Sequence, residues 1–128
     1  STDAPTVELV YKLQEYADKP RRKRSEGKAT WPGRKQVYRR TEADGAFAAD
    51  CLGLEAYPQP GEPLLQPVMV EGRRLAPPEP LDVIRNRVRA QLAALPPALR
   101  SNRTAPPYTV IVAPELRELA DRLDRETH

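Results

Sequence analysis

Ala76-Pro77-Pro78-Glu79-Pro80-Leu81-Asp82-Val83-Ile84-Arg85-Asn86-Arg87-Val88 is where the chain changes period. After the prolines, apolar residues fall at Leu81, Ile84, Val88, Leu92 and Leu95. Those steps of about 3 and 4 residues make one stripe of an amphipathic helix. Asp82 lies in the first turn, where the helix macrodipole favours an acid. Pro96-Pro97 ends the helix. Further on, Tyr108 to Val112 is β-branched and predicts a strand. Pro114 suits the first position of a second helix, whose buried face is Leu116, Leu119, Ala120 and Leu123.

Before the break the period is two. Val7, Leu9, Tyr11 and Leu13 alternate with Glu8, Val10, Lys12 and Gln14, a half-buried strand over residues 6–14. Asp18-Lys19-Pro20 predicts a turn, with residues 21–25 returning as its partner. Residues 28–35 read as a loop around Pro32-Gly33, and residues 36–41 as a strand. Asp44-Gly45 is a strong hairpin signal. The next strand, residues 46–54, is expected to form weakly because it is rich in alanine. Residues 64–70 hold Pro67 and are expected at a sheet edge, with Glu71-Gly72 turning the chain into residues 73–75. The fold class is therefore α+β. A strand-rich half of antiparallel hairpins (residues 1–76) precedes a helix-strand-helix half (residues 77–128), the two forming one structural unit with both helices packed on the sheet or on each other.

Composition narrows the function classes. Length 128 is one domain's worth, and 30% charged residues with a net charge of +3 describe a soluble protein. The aromatic content is 5%, so the core is modest, while fifteen prolines and six glycines imply many loops. No apolar run is long enough to span a bilayer, and no secretory signal opens the chain. The single Cys51 and the single His128 exclude an internal disulfide and make a Cys/His zinc site unexpected. A reducing, cytoplasmic setting fits. Gly-rich phosphate loops of the G-x-G-x-x-G and G-x-x-x-x-G-K-[ST] kinds are missing, and no Ser-His-Asp set is available. No residue is assigned a catalytic role.

Charge is concentrated in one place. From Lys19 to Arg40 there are ten Lys/Arg against one acid, Glu26, a local charge of +9. At its centre sits Trp31-Pro32-Gly33, a rigid turn beside the only tryptophan. Cations around a Pro-Gly turn suit a phosphate-bearing ligand, and the candidates are Lys28, Gly33, Arg34, Lys35 and Arg39. The plainer reading is a solvated charged hairpin. Trp31 fits packing against the domain better than stacking on a base or ring. Arg85, Arg87 and Arg89 scatter around the polar face of their helix and are expected to be solvated.

The wording of this stretch carries a resemblance. Lys23 to Arg39 resembles a K-x-S-E-G-K-x-T-x-P-G-x-K-x-V-[YF]-R segment of bacterial nicotinate phosphoribosyltransferases. Other words follow in the same order: Ser1-Thr2-Asp3-Ala4-Pro5, Val10-Tyr11-Lys12-Leu13, Gly61-Glu62-Pro63-Leu64-Leu65 with Pro67-Val68-Met69, Val88 to Leu92 with Leu95-Pro96, and Pro107 to Val110 with Pro114-Glu115-Leu116. The chain departs from the pattern at Pro80 and Ala113, where a serine often caps each helix; both caps are expected to be weaker by about 1 kcal/mol. Asp3 and Glu26, carboxylates within these words, are candidates to orient a sugar hydroxyl, with a surface ion pair as the plainer role.

The first residue is Ser, which either removal of an initiator Met or cutting from a longer chain would explain; the resemblance implies the second, a C-terminal portion of a longer enzyme, because the match begins partway through that enzyme. That family forms nicotinate mononucleotide from nicotinate and phosphoribosyl pyrophosphate, with ATP hydrolysis and Mg2+, in NAD biosynthesis. It joins an α/β barrel to a β-rich domain, with the active site at the barrel mouth near a homodimer interface. The catalytic histidine and the phosphate loops lie in the barrel. The segment alone is therefore expected to be inactive and to bind no cofactor by itself. Two other classes are a small basic nucleic-acid-binding module using Arg21 to Arg40, and a non-catalytic subunit that docks on a separate barrel chain.

Overall fold

A computed structural model describes residues 12–25, 28–100 and 106–126. Most of the expected strand at residues 6–14 lies outside them, and residues 12–14 are in no strand. The first described pair is β1 (Glu15–Tyr16) with β2 (Lys19–Pro20). Its turn is Ala17-Asp18, one residue earlier than the sequence predicts, and both residues have positive φ, 49° and 56°. Two consecutive positive φ values are the primed geometry whose twist matches a tight hairpin. The return strand is residues 19–20, ahead of the expected 21–25. Only β3 (Arg24–Ser25) pairs onward, with β4 (Lys28–Ala29).

The main sheet is built on the Asp44-Gly45 hairpin. β5 (Lys35–Thr41) and β6 (Phe47–Leu54) run antiparallel. Gly45 takes φ 86°, and the Asp44 carboxylate accepts the Ala46 N–H at 3.0 Å. The ladder skips Ala48 between Arg40 and Thr41, a β-bulge. β7 (Glu62–Pro63) adds to the outer edge of β5. The edge strand is thus residues 62–63, earlier than the expected 64–70. Pro67 interrupts that stretch, and only its end pairs, as β8 (Met69–Val70) with β9 (Arg73–Arg74) around Glu71-Gly72. Both turn residues have positive φ, 49° and 76°.

α1 (Leu81–Ala94) follows the predicted stripe. Pro80 gives it no side-chain cap, and Leu95 turns extended (ψ 141°) because it precedes Pro96. A single further turn, α2 (Pro97–Arg100), starts at Pro97. The chain then returns as β10 (Val110–Val112), which lies parallel to β6, and ends in α3 (Pro114–Glu126). The sheet order is β10-β6-β5-β7. A parallel neighbour needs a long crossover, here residues 55–109 with α1 inside it.

β6 is therefore one of the two inner strands, paired on both sides, and not a weak one. Its small residues are the reason it works. Ala49, Cys51 and Gly53 are buried, and a Cβ at Gly53 would already stand 3.5 Å from Ala113 Cβ. This flat surface lets α3 lie close. Leu116, Leu119 and Ala120 are buried there, with Tyr38, Cys51 and Ala113 packed together beside them. Ala113 is 1% exposed, so the apolar residue that weakens the α3 cap fills the core instead.

α1 departs from the expectation that both helices pack. None of its residues is buried; Leu81, Val88 and Leu92 are 67%, 46% and 54% exposed. Val68, Met69 and Leu75, in and beside the β8–β9 hairpin, are exposed as well. No helix among the described residues is long and apolar enough to cross a membrane.

Candidate functional site

The basic turn is a rigid, internally bonded object. Pro32 is fully buried, and Gly33 is buried with φ 78°. A Cβ at Gly33 would meet Leu54 Cδ2 at 3.1 Å and Leu119 Cδ2 at 3.4 Å. Glycine is thus required both by conformation and by space. The Gln14 carbonyl accepts from Gly33 N–H and Arg21 N–H, each at 2.8 Å, which ties the turn to the first hairpin.

Lys35 closes the turn from beneath. Its Nζ donates to Gln14 Oε1 (2.7 Å), to the Trp31 carbonyl (2.8 Å) and to the Gly33 carbonyl (2.6 Å). An ammonium has three donors, and all three are used. Burial lowers its pKa from the usual lysine range, while the charge of Glu15 offsets part of that effect.

Trp31 is half-buried between arginines. The guanidinium of Arg22 lies 5.8 Å from its ring centroid and that of Arg117 lies 5.9 Å away. Arg22 also donates to Thr30 O (3.0 Å), Ala120 O (3.2 Å) and Asp124 Oδ2 (2.7 Å). The tryptophan therefore anchors the basic loop to α3.

Arg39 sits directly across the ladder from Asp50. Its Nε and Nη2 donate to the two carboxylate oxygens at 2.9 and 2.8 Å. The Tyr108 hydroxyl donates to Asp50 Oδ1 at 3.2 Å, and the guanidinium lies 4.3 Å from the Phe47 ring centroid. The Arg39 hydrogen bonds hold the Asp50 carboxyl below the usual carboxylate range.

Of the remaining candidates, Arg34 is exposed and, among the described residues, pairs only with exposed Glu55, at 3.0 Å. Such a pair contributes about 0–1 kcal/mol and gives way easily to another anion. Lys28 lies in β4; its side chain, like Asp3 and Glu26, lies outside the described residues. The candidates thus separate. Gly33 and Lys35 form one unit, Arg39 belongs to a different pair on the sheet, and Arg34 projects outward. Beside Gly33 and Arg34 opens a groove of about 350 Å3, lined also by Glu115, Glu118 and Arg122, so its charge is mixed. Arg87 pairs with Glu79 at 2.7 Å on the exposed face of α1. No cluster of His, Cys, Asp and Glu suited to a metal occurs among the described residues.

Sequence reasoning did not single out Arg40. It is half-buried, its Nε is enclosed with no hydrogen-bond partner among the described residues, and the β5–β6 ladder skips Ala48 of β6 just after it. Spacing does not reveal this, because charge density alone treats all ten cations alike.

Comparison with known proteins assigns the architecture. Residues 58–120 match the family model described as the nicotinate phosphoribosyltransferase C-terminal domain. The chain is 48% identical over 100 residues to nicotinate phosphoribosyltransferase pncB2 of Mycobacterium tuberculosis, over 77% of this chain and 21% of that protein. The chain belongs to the nicotinate phosphoribosyltransferase family, in its C-terminal region. The Mus musculus nicotinate phosphoribosyltransferase is 29% identical over 144 residues, covering 93% of this chain and 27% of that protein. The fold superposes on the crystal structure of human nicotinic acid phosphoribosyltransferase with a TM-score of 0.79 and 26% identity, over 90% of this chain and 26% of that one. The chain therefore spans about a fifth to a quarter of the length of these nicotinate phosphoribosyltransferases.

Proposed function

We propose that this chain serves as the C-terminal region of an enzyme that forms nicotinate mononucleotide from nicotinate and phosphoribosyl pyrophosphate with hydrolysis of ATP, using Mg2+. The single observation that carries this reading is the 48% identity to the mycobacterial enzyme. The 128 residues are not catalytic alone and take up no cofactor alone. They are completed by an α/β barrel of the same cytoplasmic enzyme, which works as a homodimer. The open apolar surface of α1 and the β8–β9 hairpin supports such a completing partner: large exposed apolar patches mark association surfaces. The same surface also suits a barrel carried on a separate chain.

Within the assembled enzyme, the basic turn contributes a phosphate contact. Arg34 is the member placed to make it, since its exposed partner Glu55 is easily exchanged. Lys35 and Gly33 hold the turn in shape, Arg39 braces the sheet beneath it, and Lys28 adds positive charge nearby.

The test is to join this chain to the barrel-bearing remainder of the mycobacterial relative and measure nicotinate mononucleotide from nicotinate, phosphoribosyl pyrophosphate and Mg-ATP. Turnover by the hybrid, with none from the 128 residues alone, is the expected result. A folded, dimeric hybrid without turnover, or turnover by the isolated chain, would sink the reading. In an active hybrid, Arg34→Ala should raise the Michaelis constant for a phosphorylated substrate about tenfold or more, with stability unchanged.

A further inference from the structure

Among the described residues three arginines are half-buried: Arg22, Arg39 and Arg40. Two of them have carboxylate partners, Asp124 at 2.7 Å and Asp50 at 2.8 Å. Arg40 has neither an ion pair nor a hydrogen-bonded Nε among the described residues. Removing part of a guanidinium's water without supplying an acceptor is costly. The Arg40 Nη nitrogens are neither enclosed nor hydrogen-bonded among the described residues, so the outer edge of this guanidinium, rather than its enclosed Nε, is open to an acceptor from outside.

The surroundings of Arg40 form such a place. A notch of about 500 Å3 is lined by Arg39, Arg40, Thr41, Gly61 and Glu62. The bulge between Arg40 and Thr41 interrupts the β5–β6 ladder at this point, and bulges commonly re-aim a side chain near functional sites. On the other side the chain comes in at Gly61, with φ 123°. A Cβ there would stand 2.6 Å from the Arg39 carbonyl oxygen, so only glycine lets this wall approach.

We propose that the notch beside Arg40 binds an oxyanion, with the Arg40 guanidinium as its principal contact. A guanidinium offers five N–H donors in a planar fork that matches a phosphate or a carboxylate. Thr41 lines the same notch and carries a hydroxyl that can serve as a further donor. Glu62 also lines it and makes no ion pair with Arg40 among the described residues; its charge opposes the incoming anion and moderates affinity. Two sources share this chemistry. One is free phosphate or a phosphorylated small molecule, and the other is a carboxylate from the remainder of a longer enzyme. The proposal does not depend on turnover.

The test follows the Arg40 Nε–H resonance by 15N–1H NMR in the 128-residue chain, assigned by its loss in Arg40→Met. Inorganic phosphate is titrated at constant ionic strength with chloride as the replaced salt. A saturable shift of that resonance is expected, with affinity reduced about tenfold or more in Arg40→Met, read from the neighbouring Thr41 and Gly61 amides. Glu62→Gln should tighten binding severalfold, and this arm stands even if Arg40→Met unfolds. In the longer hybrid enzyme, an Arg40 resonance already at its bound position without phosphate identifies a protein carboxylate as the source. One that moves only on phosphate addition identifies the free anion. No saturable shift in the isolated chain, or an equal response to chloride, or no effect of Glu62→Gln overturns the proposal.

Discussion

Arg39 and Asp50 face each other across the antiparallel β5–β6 pair and are joined by two hydrogen bonds of 2.9 and 2.8 Å. With side-chain exposures of 20% and 15%, this is a largely desolvated pair spanning the two inner strands of the sheet. Tyr108, just before β10, joins it through Asp50 Oδ1. The pair therefore links three strands, β5, β6 and the approach to β10.

Asp50→Asn removes the charge that Arg39 was built to meet. Loss of a charge-assisted hydrogen-bonded contact is expected to cost roughly 1.5–3 kcal/mol in urea unfolding at pH 7. The sign with pH follows from the depressed folded-state pKa of Asp50. Its stabilisation is fully present above the unfolded Asp value of about 3.9 and is lost as pH falls through the lower folded value. The wild-type chain should thus lose more stability than Asp50→Asn on acidification below about pH 4. Parallel acid limbs in the two proteins would show that the pair contributes no pH-linked stability.

Gly33 and Gly45 both have positive φ, 78° and 86°, but differ in surroundings. At Gly45 an added Cβ meets nothing within 4 Å, whereas at Gly33 it meets Leu54 and Leu119. Gly45→Ala should cost roughly 1–2 kcal/mol for conformation alone. Gly33→Ala should cost roughly 2–4 kcal/mol, because crowding is added to conformation. Thermal or urea unfolding of the two variants measures the difference directly. Equal costs would mean that Leu54 and Leu119 yield freely.

Lys35→Met deletes three donors from the turn and leaves the Trp31 and Gly33 carbonyls without them. A loss of roughly 2–4 kcal/mol is expected from the orphaned acceptors. The structural role predicts altered Trp31 fluorescence in the isolated chain, before any substrate is present. A variant with unchanged stability and fluorescence would move Lys35 from shaping the turn to contacting a ligand.

Leu92 lies on the open stripe of α1, 54% exposed. Leu92→Glu should change the stability of the isolated chain by no more than about 0.5 kcal/mol. In an enzyme that carries the barrel, the same substitution should lower the melting temperature or release the segment to proteolysis, since it puts a charge on the covering face. Destabilisation of the isolated chain to the same extent would show that α1 packs within this chain instead.

The periodicity of the sequence determined where most elements lie. Leu81, Ile84, Val88 and Leu92 specify α1, Leu116, Leu119 and Ala120 specify α3, and Asp44-Gly45 specifies the central hairpin, because local spacing and turn chemistry act over a few residues. Several outcomes depended on distant neighbours. Ala49, Cys51 and Gly53 look like a weak strand in isolation, yet their smallness is what lets β6 take α3 closely. The α1 stripe says that a face is apolar, but no pattern says what covers it. The ten cations of residues 19–40 are indistinguishable by spacing. Tertiary structure separated them: Arg22 found Asp124, Arg39 found Asp50, Lys35 found three acceptors, and Arg40 found none among the described residues. Asp124 lies on α3 and Asp50 on β6, neither of them a chain neighbour of the arginine it meets, so the pairing of these charges is decided when the strands and α3 come together.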